Sequence, residues 1–188
     1  FKAFSNNSSL NIAGFIKSSN TFENFHLSKK SNIEINGFVK SLDISILNKY
    51  FPWAISMGGV LTTDLSISGM FDDINFNISP VILNPVFDKI QGIEIGGNVS
   101  FRNNRLFFSD IIGKTEYGEY RILGSLPANF NFYSKKDIDS RPIYIDIEAK
   151  STSLELLAPY FPFVKETSGI FDYKLNIHGN YKNIIRNG

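Results

Sequence analysis

The chain has 188 residues, 43% of them hydrophobic, with 19 lysines and arginines against 18 aspartates and glutamates and no cysteine. A net charge of +1 provides no clustered positive field for nucleic acid, and the lack of cysteine excludes disulfides, zinc–thiolate sites and a nucleophilic thiol. No apolar run reaches the roughly 18 residues that span a bilayer. Since FKAFSNNSSL begins without methionine and lacks signal-peptide features, we expect one domain, or one part of a repeat array, from a longer protein.

The chain resembles itself at a distance of 110 positions. Residues 31–74 align with residues 141–184 without a gap, and 13 of the 44 aligned positions are identical. A long self-similar period indicates stacked supersecondary units, so each unit must hold several strands. We therefore interpret residues 1–188 as a fragment of one elongated β-repeat domain without an internal linker.

Each copy opens with a strand and a short helix. The segments SNIEINGFVK and RPIYIDIEAK have apolar residues at every second position, which predicts a strand with one apolar face. Asp43 or Ser153 then caps a helix of about two turns, and Pro52 or Pro162 ends it. The repeated Tyr-Phe-Pro is thus predicted to be a helix terminus whose aromatic rings pack nearby.

Further strands follow the helix in each copy. GVLTTDLSISG and GIFDYKLNIHG alternate strictly, which predicts amphipathic strands that end at Gly69 and Gly179. MFDDI and NYKNI are turns into a next strand. Between the copies, GIEIGGNVSFRNNRLFFSD predicts a strand pair that turns at Asn103 and Asn104, and EYRILGSLPANFNFY adds another strand. The chain is predicted to be mainly β, with two short helices.

The sequence holds no recognisable catalytic or metal-binding motif. His26 and His178 are its two histidines, and neither lies in a nucleophile or triad motif. Asp72 and Asp73 lack the glycine and glutamate spacing of a calcium loop. We expect no enzyme, no catalytic residue, no metal and no cofactor.

The apolar sides of these strands must be covered by something. Two short helices cannot cover about ten strands. Either the sheet closes into a sandwich or barrel with a dry core, or it curls into a trough whose inner wall meets acyl chains. Periodicity alone leaves both arrangements open.

Two segments share a succession of short helix, Tyr-Phe-Pro, paired small residues, alternating strand and turn. They read LDISILNKYFPWAISMGGVLTTDLSISGMFDDINF and TSLELLAPYFPFVKETSGIFDYKLNIHGNYKNI. This succession resembles the repeats of the AsmA-like superfamily, in particular the C-terminal region of the TamB-type (translocation and assembly module) bridge-like lipid transport proteins. The resemblance runs from about Ile33 to Ile184, and the first 30 residues have no counterpart.

The resemblance implies a curved or U-shaped, taco-like antiparallel-rich β-sheet with an apolar interior. It also implies a segment of an envelope-spanning bridge that binds phospholipid acyl chains and supports lipid transport to, and protein assembly in, the outer membrane. The implied location is the periplasm, with an inner-membrane anchor outside this chain and an Omp85-type outer-membrane barrel as protein partner. The alternative is a closed β-sandwich scaffold or assembly module that acts by protein–protein contacts without lipid.

The residues predicted to line the groove share an apolar side chain on the expected inner face of a strand. They are Leu61, Leu65, Ile67, Ile93, Ile95, Val99, Phe101, Ile122, Ile145, Ile147, Phe171, Tyr173, Leu175 and Ile177. Because they are redundant, we expect single alanine substitutions to have little effect and one inward arginine or glutamate to block lipid passage.

Overall fold

The computed structural model of the chain describes residues 2–5, 8–17, 31–49, 56–88, 90–130, 138–156 and 168–188. These residues form one antiparallel sheet of 12 strands. In chain order the strands are β1 (Lys2–Ser5), β2 (Ser8–Lys17), β3 (Asn32–Asp43), β4 (Met57–Met70), β5 (Asp73–Phe87), β6 (Ile90–Gln91), β7 (Glu94–Arg102), β8 (Arg105–Thr115), β9 (Gly118–Pro127), β10 (Ile143–Ser153), β11 (Ile170–Asn180) and β12 (Asn183–Asn187). The spatial order follows the chain order, except that the short β6 pairs with β5 alone.

The sheet is open and curled. It is open because β1 and β12 lie at opposite ends of the strand order and do not pair. Bulges interrupt the registers of β3, β8 and β10, and Ser41, Asp110 and Ser151 take φ angles of 56°, 51° and 51° there. A bulge bends its strand and increases the local twist, which gives the sheet its curl.

The two aligned copies take the same backbone path. In each, a long strand is followed by a 3-10 helix, a second strand and a turn into a third strand. The aligned Gly59 and Gly169 both have φ of 124°, and Gly69 and Gly179 have φ of 112° and 117°. Glycine adopts this region without the steric penalty of a side chain, so its recurrence reflects a shared geometry.

The predicted two-turn helices are instead short 3-10 helices, at Ile44–Lys49 and at 154–156. This geometry suits short connectors at strand ends. The predicted caps are confirmed: Asp43 Oδ1 and Ser153 Oγ accept hydrogen bonds from the backbone N–H two residues later, at 2.9 and 3.2 Å. The bond to Asp43 also lowers the pKa of that carboxyl. The Tyr-Phe-Pro segments lie outside the described residues.

The strand register separates two faces, because directly opposed residues point to the same side of a sheet. We call inner the face that carries, from β2 to β11, the row Ile12, Gly37, Leu65, Ile78, Val99, Phe108, Gly124, Ile145 and Ile177. The outer face carries the residues between them, such as Asp64, Ser66 and Ser68 of β4. The predicted mainly β fold with an apolar interior is confirmed.

Few apolar side chains are buried in the described part of the chain. The buried apolar residues are Ile33, Ile44, Phe101, Ile143 and Ala149, together with Pro85 and Pro127. Most of the inner face, including Leu65, Val99 and Ile145, is only half-buried. A sandwich with a dry core would bury such residues against a second sheet, whereas the described residues form a single sheet.

Candidate functional site

The curl of the inner face encloses an apolar groove of about 520 Å³. Its walls come from β5 and from β7 to β11, and they consist of Pro80, Phe87, Ile95, Val99, Phe108, Ile111, Tyr120, Ile122, Leu126, Ile145, Ile147 and Ile177. A flat sheet would hold β5 and β11 roughly 24 Å apart, at about 4.8 Å for each strand step. Both strands nevertheless line the same groove, because the curl of the sheet brings them closer together.

The groove lining is apolar throughout, and the Tyr120 hydroxyl is its one polar side-chain group. Its volume falls within the roughly 300–1,000 Å³ of small-molecule sites. Among the described strand residues, Arg186 on β12 is the one charged residue whose register places it on the inner face, opposite Ile177. The groove therefore suits uncharged, apolar ligand groups.

Tyrosine and phenylalanine rings shape one end of the inner face. Tyr120 lies against Gly113 of the neighbouring strand, where a Cβ atom would overlap the tyrosine ring. Phe171 stacks on Tyr173 with 5.7 Å between ring centroids. Burial raises the pKa of Tyr120 above its usual value, and the nearby Tyr173 adds to the effect; burial likewise raises the pKa of Tyr173. Both phenols consequently remain neutral over the physiological range.

All of the predicted groove residues except Ile93 lie on the inner face. The members that line the enclosed groove are Ile95, Val99, Ile122, Ile145, Ile147 and Ile177. The members that share the inner face outside this enclosed part are Leu61, Leu65, Ile67, Phe101, Phe171, Tyr173 and Leu175. The structure thus brings most of the set together on one continuous surface.

Ile93 does not join this surface. It lies just before β7, its side chain is 52% exposed, and it borders a different recess. Its backbone carbonyl accepts a hydrogen bond from Asn84 N–H at 2.9 Å, and its own N–H donates to the Lys114 carbonyl at 2.8 Å. Because these bonds hold Ile93 at a bend, the alternation that runs through Ile95 does not extend back to it.

Half of the groove lining was not predicted from the sequence. The missed residues are Pro80, Phe87, Phe108, Ile111, Tyr120 and Leu126. The alternation of NISPVIL could have identified Pro80, since Ile78 and Ile82 flank it on the same face. Phe108 and Ile111 are three positions apart because the bulge at Asp110 shifts the register, and simple alternation cannot reveal such a pair.

A second recess of about 510 Å³ lies beside the end of β5. Its lining is mixed: Asn84, Pro85, Val86, Ile90, Gln91, Gly92, Ile93, Glu116, Tyr117 and Leu156. Within the described ranges, no group of three histidine, aspartate or glutamate residues could hold a metal ion. We favour the apolar groove as the candidate site because its lining has one consistent chemistry and comes from six strands.

Membrane-spanning helices are not found in the described part of the chain: none there is both long and apolar enough. Comparison of the chain with models of protein families, with curated proteins and with solved structures finds no match in any of the three. The fold and the site define the chain as an open antiparallel β-sheet with an apolar inner groove.

Proposed function

We propose that the inner groove binds the acyl chains of phospholipids. The observation that carries the proposal is the groove itself, whose walls from β5 and from β7 to β11 are apolar and uncharged yet remain open to the outside. An acyl chain that enters leaves water, and each buried CH₂ contributes about 0.8 kcal/mol. A phospholipid headgroup can stay in water at the open side while its chains contact the inner face.

The apolar surface continues beyond the enclosed groove, and this continuity supports movement as well as binding. On the row that crosses the sheet, an acyl chain meets apolar side chains such as Leu65, Val99 and Ile145, with glycines at Gly37 and Gly124. Because no polar or charged side chain interrupts this row, the acyl chain can stay in apolar contact as it moves from strand to strand. Transfer along such a path needs no chemical step, so the chain acts as a conduit and not as an enzyme.

The proposed context is an envelope-spanning bridge of the AsmA-like, TamB type. The internal repeat, the capped turn before an alternating strand and the groove support this proposal together. In that context the chain is one periplasmic segment of a protein anchored in the inner membrane, and it supports lipid transport to the outer membrane and protein assembly there with an Omp85-type barrel.

Native mass spectrometry of the purified chain, followed by lipid extraction, tests the proposal. The decisive variant is Ile145→Glu, which places a carboxylate in the groove wall. Its matched control is Tyr144→Glu, because Tyr144 is the adjacent residue on the outer face and is 57% exposed. We expect phospholipid on the wild type and the control, and a loss of at least about tenfold in the groove variant, equivalent to about 1.4 kcal/mol.

Two results would contradict the proposal. The first is a folded wild-type chain that carries no phospholipid after exposure to phosphatidylethanolamine and phosphatidylglycerol vesicles; it would favour the alternative, a scaffold that acts through protein contacts. The second is equal loss of lipid in both glutamate variants, which would locate binding elsewhere. Far-UV circular dichroism of each variant verifies that the sheet is intact.

A further inference from the structure

Three phenylalanine rings form a cluster at one end of the inner face. Phe76 of β5 and Phe101 of β7 are directly opposed in the sheet and stack with 5.3 Å between centroids. Phe130 contacts both rings edge-on, at 5.5 Å from Phe76 and 4.9 Å from Phe101. Phe130 does not belong to a strand: it follows β9, which is separated from β7 by β8. The chain therefore turns back over the inner face to insert this ring.

Hydrogen bonds fix the connection that carries Phe130. Ala128 N–H donates to the Asn104 carbonyl in the β7–β8 turn at 3.1 Å. Beyond Phe130, the Arg141 guanidinium donates to the Asn103 and Asn104 carbonyls of the same turn, at 3.1 and 3.2 Å. The β9–β10 connection is thus tied to one turn from both sides, which aims Phe130 at the inner face.

Phe101, at the centre of the cluster, is more deeply buried than most of the inner face. Phe101 is 4% exposed, whereas its neighbour on the same strand face, Val99, is half-buried and lines the open groove. The ring over Phe101 is itself 47% exposed. Phe130 thus covers an apolar surface with one side and meets water with the other, as a bound apolar ligand in an open groove would.

We propose that Phe130 is a built-in plug that occupies the place of an acyl chain over Phe101. It ends the acyl-binding stretch of the groove at the phenylalanine cluster. The ring can leave without breaking the sheet, because the strand hydrogen bonds of β5 and β7 do not involve it. This inference rests on the proposed acyl-binding function and specifies where binding stops.

Titration of the chain with cis-parinaric acid, a fatty acid whose fluorescence rises in apolar surroundings, tests the plug. Phe130→Ala is expected to tighten binding about threefold to tenfold, because removal of the ring opens the surface over Phe101 and lengthens the apolar stretch that the acyl chain can contact. Phe130→Trp enlarges the plug and is expected to weaken binding. Phe38→Ala is the matched control, since Phe38 lies on the outer face and is 38% exposed.

The outcomes separate this inference from the function on which it rests. Tighter binding by the alanine variant, with weaker binding by the tryptophan variant and no change in the control, supports the plug. Wild-type binding that neither Phe130 variant alters, or that the alanine variant weakens, overturns the plug alone. No binding by the wild type overturns the proposed function and the plug with it. Circular dichroism identifies any variant that is not folded, and the remaining Phe130 variant then decides.

Discussion

An alanine at Gly113 should distort the groove wall, because its Cβ atom would overlap the ring of Tyr120. Gly113 is buried and directly opposes Tyr120, and the Cζ, Oη and Cε2 atoms of that ring all occupy the space that a Cβ would need. Overpacking of this kind costs about 1–3 kcal/mol. For a chain of this size, that corresponds to a melting temperature about 2–12 °C lower.

A double-mutant cycle identifies the cause of the loss. Urea unfolding would be measured for the wild type, Gly113→Ala, Tyr120→Ala and the double variant. Because removing the ring removes the overlap, we expect the double variant to be more stable than the sum of the single effects predicts, by about 1 kcal/mol or more. Gly96→Ala is the control, since the nearest atom to its Cβ would be Pro80 O at 3.6 Å. The overlap would be refuted if the two single substitutions had additive effects on the free energy of unfolding, or if Gly113→Ala and Gly96→Ala lowered it equally.

Three further predictions concern backbone strain, pH and the connection after β9. Gly124→Ala should cost roughly 1–3 kcal/mol, because Gly124 has φ of 146° and its Cβ would meet the Tyr144 carbonyl oxygen; an unchanged melting temperature would contradict this. Burial raises the pKa of Tyr120 in the folded state, so stability should be unaffected below the unfolded-state pKa of about 10 and fall as the pH rises above it. Urea unfolding at pH 9 and 11 should show a smaller fall for Tyr120→Phe, and equal falls would contradict the burial argument. Arg141→Gln should lower stability by about 1 kcal/mol through loss of its bonds to the Asn103 and Asn104 carbonyls; proteolysis within residues 128–142 that is no faster than in the wild type would argue against this anchoring role.

The faces of the sheet could be predicted from sequence where the strands are regular. In β4 and β11, Leu65 and Leu175 alternate with polar residues without interruption, and both lie on the inner face as predicted. The turn at Asn103 and Asn104 was also predicted correctly, and both residues have the positive φ that asparagine tolerates. In such segments, side-chain period and backbone geometry agree, so one follows from the other.

The features of the fold and the site that could not be predicted from sequence depend on contacts between distant segments. A bulge shifts the inward side chain from an even to an odd position, as between Phe108 and Ile111, and only the partner strand reveals where that happens. The same limit applies to Phe130, one of three aromatics in the segment ANFNFY, whose place over Phe101 is set by a turn some 25 positions earlier. The enclosed groove likewise depends on how far the sheet curls, which no local pattern encodes.

The two copies of the repeat preserve shape more strictly than side-chain identity. The bulge at Ser41 recurs at Ser151, and the glycine at 59 recurs at 169 with the same φ. Inner-face positions are in part identical, as at Leu65 and Leu175, and in part exchange one apolar side chain for another, as at Leu61 and Phe171. Just beyond the aligned residues, Phe76 corresponds to Arg186. A site that recognises one specific ligand requires particular groups at fixed positions, whereas a surface for acyl chains requires only curvature and apolarity. The repeat maintains an apolar inner face and the backbone geometry that curves it, as the proposed conduit would require.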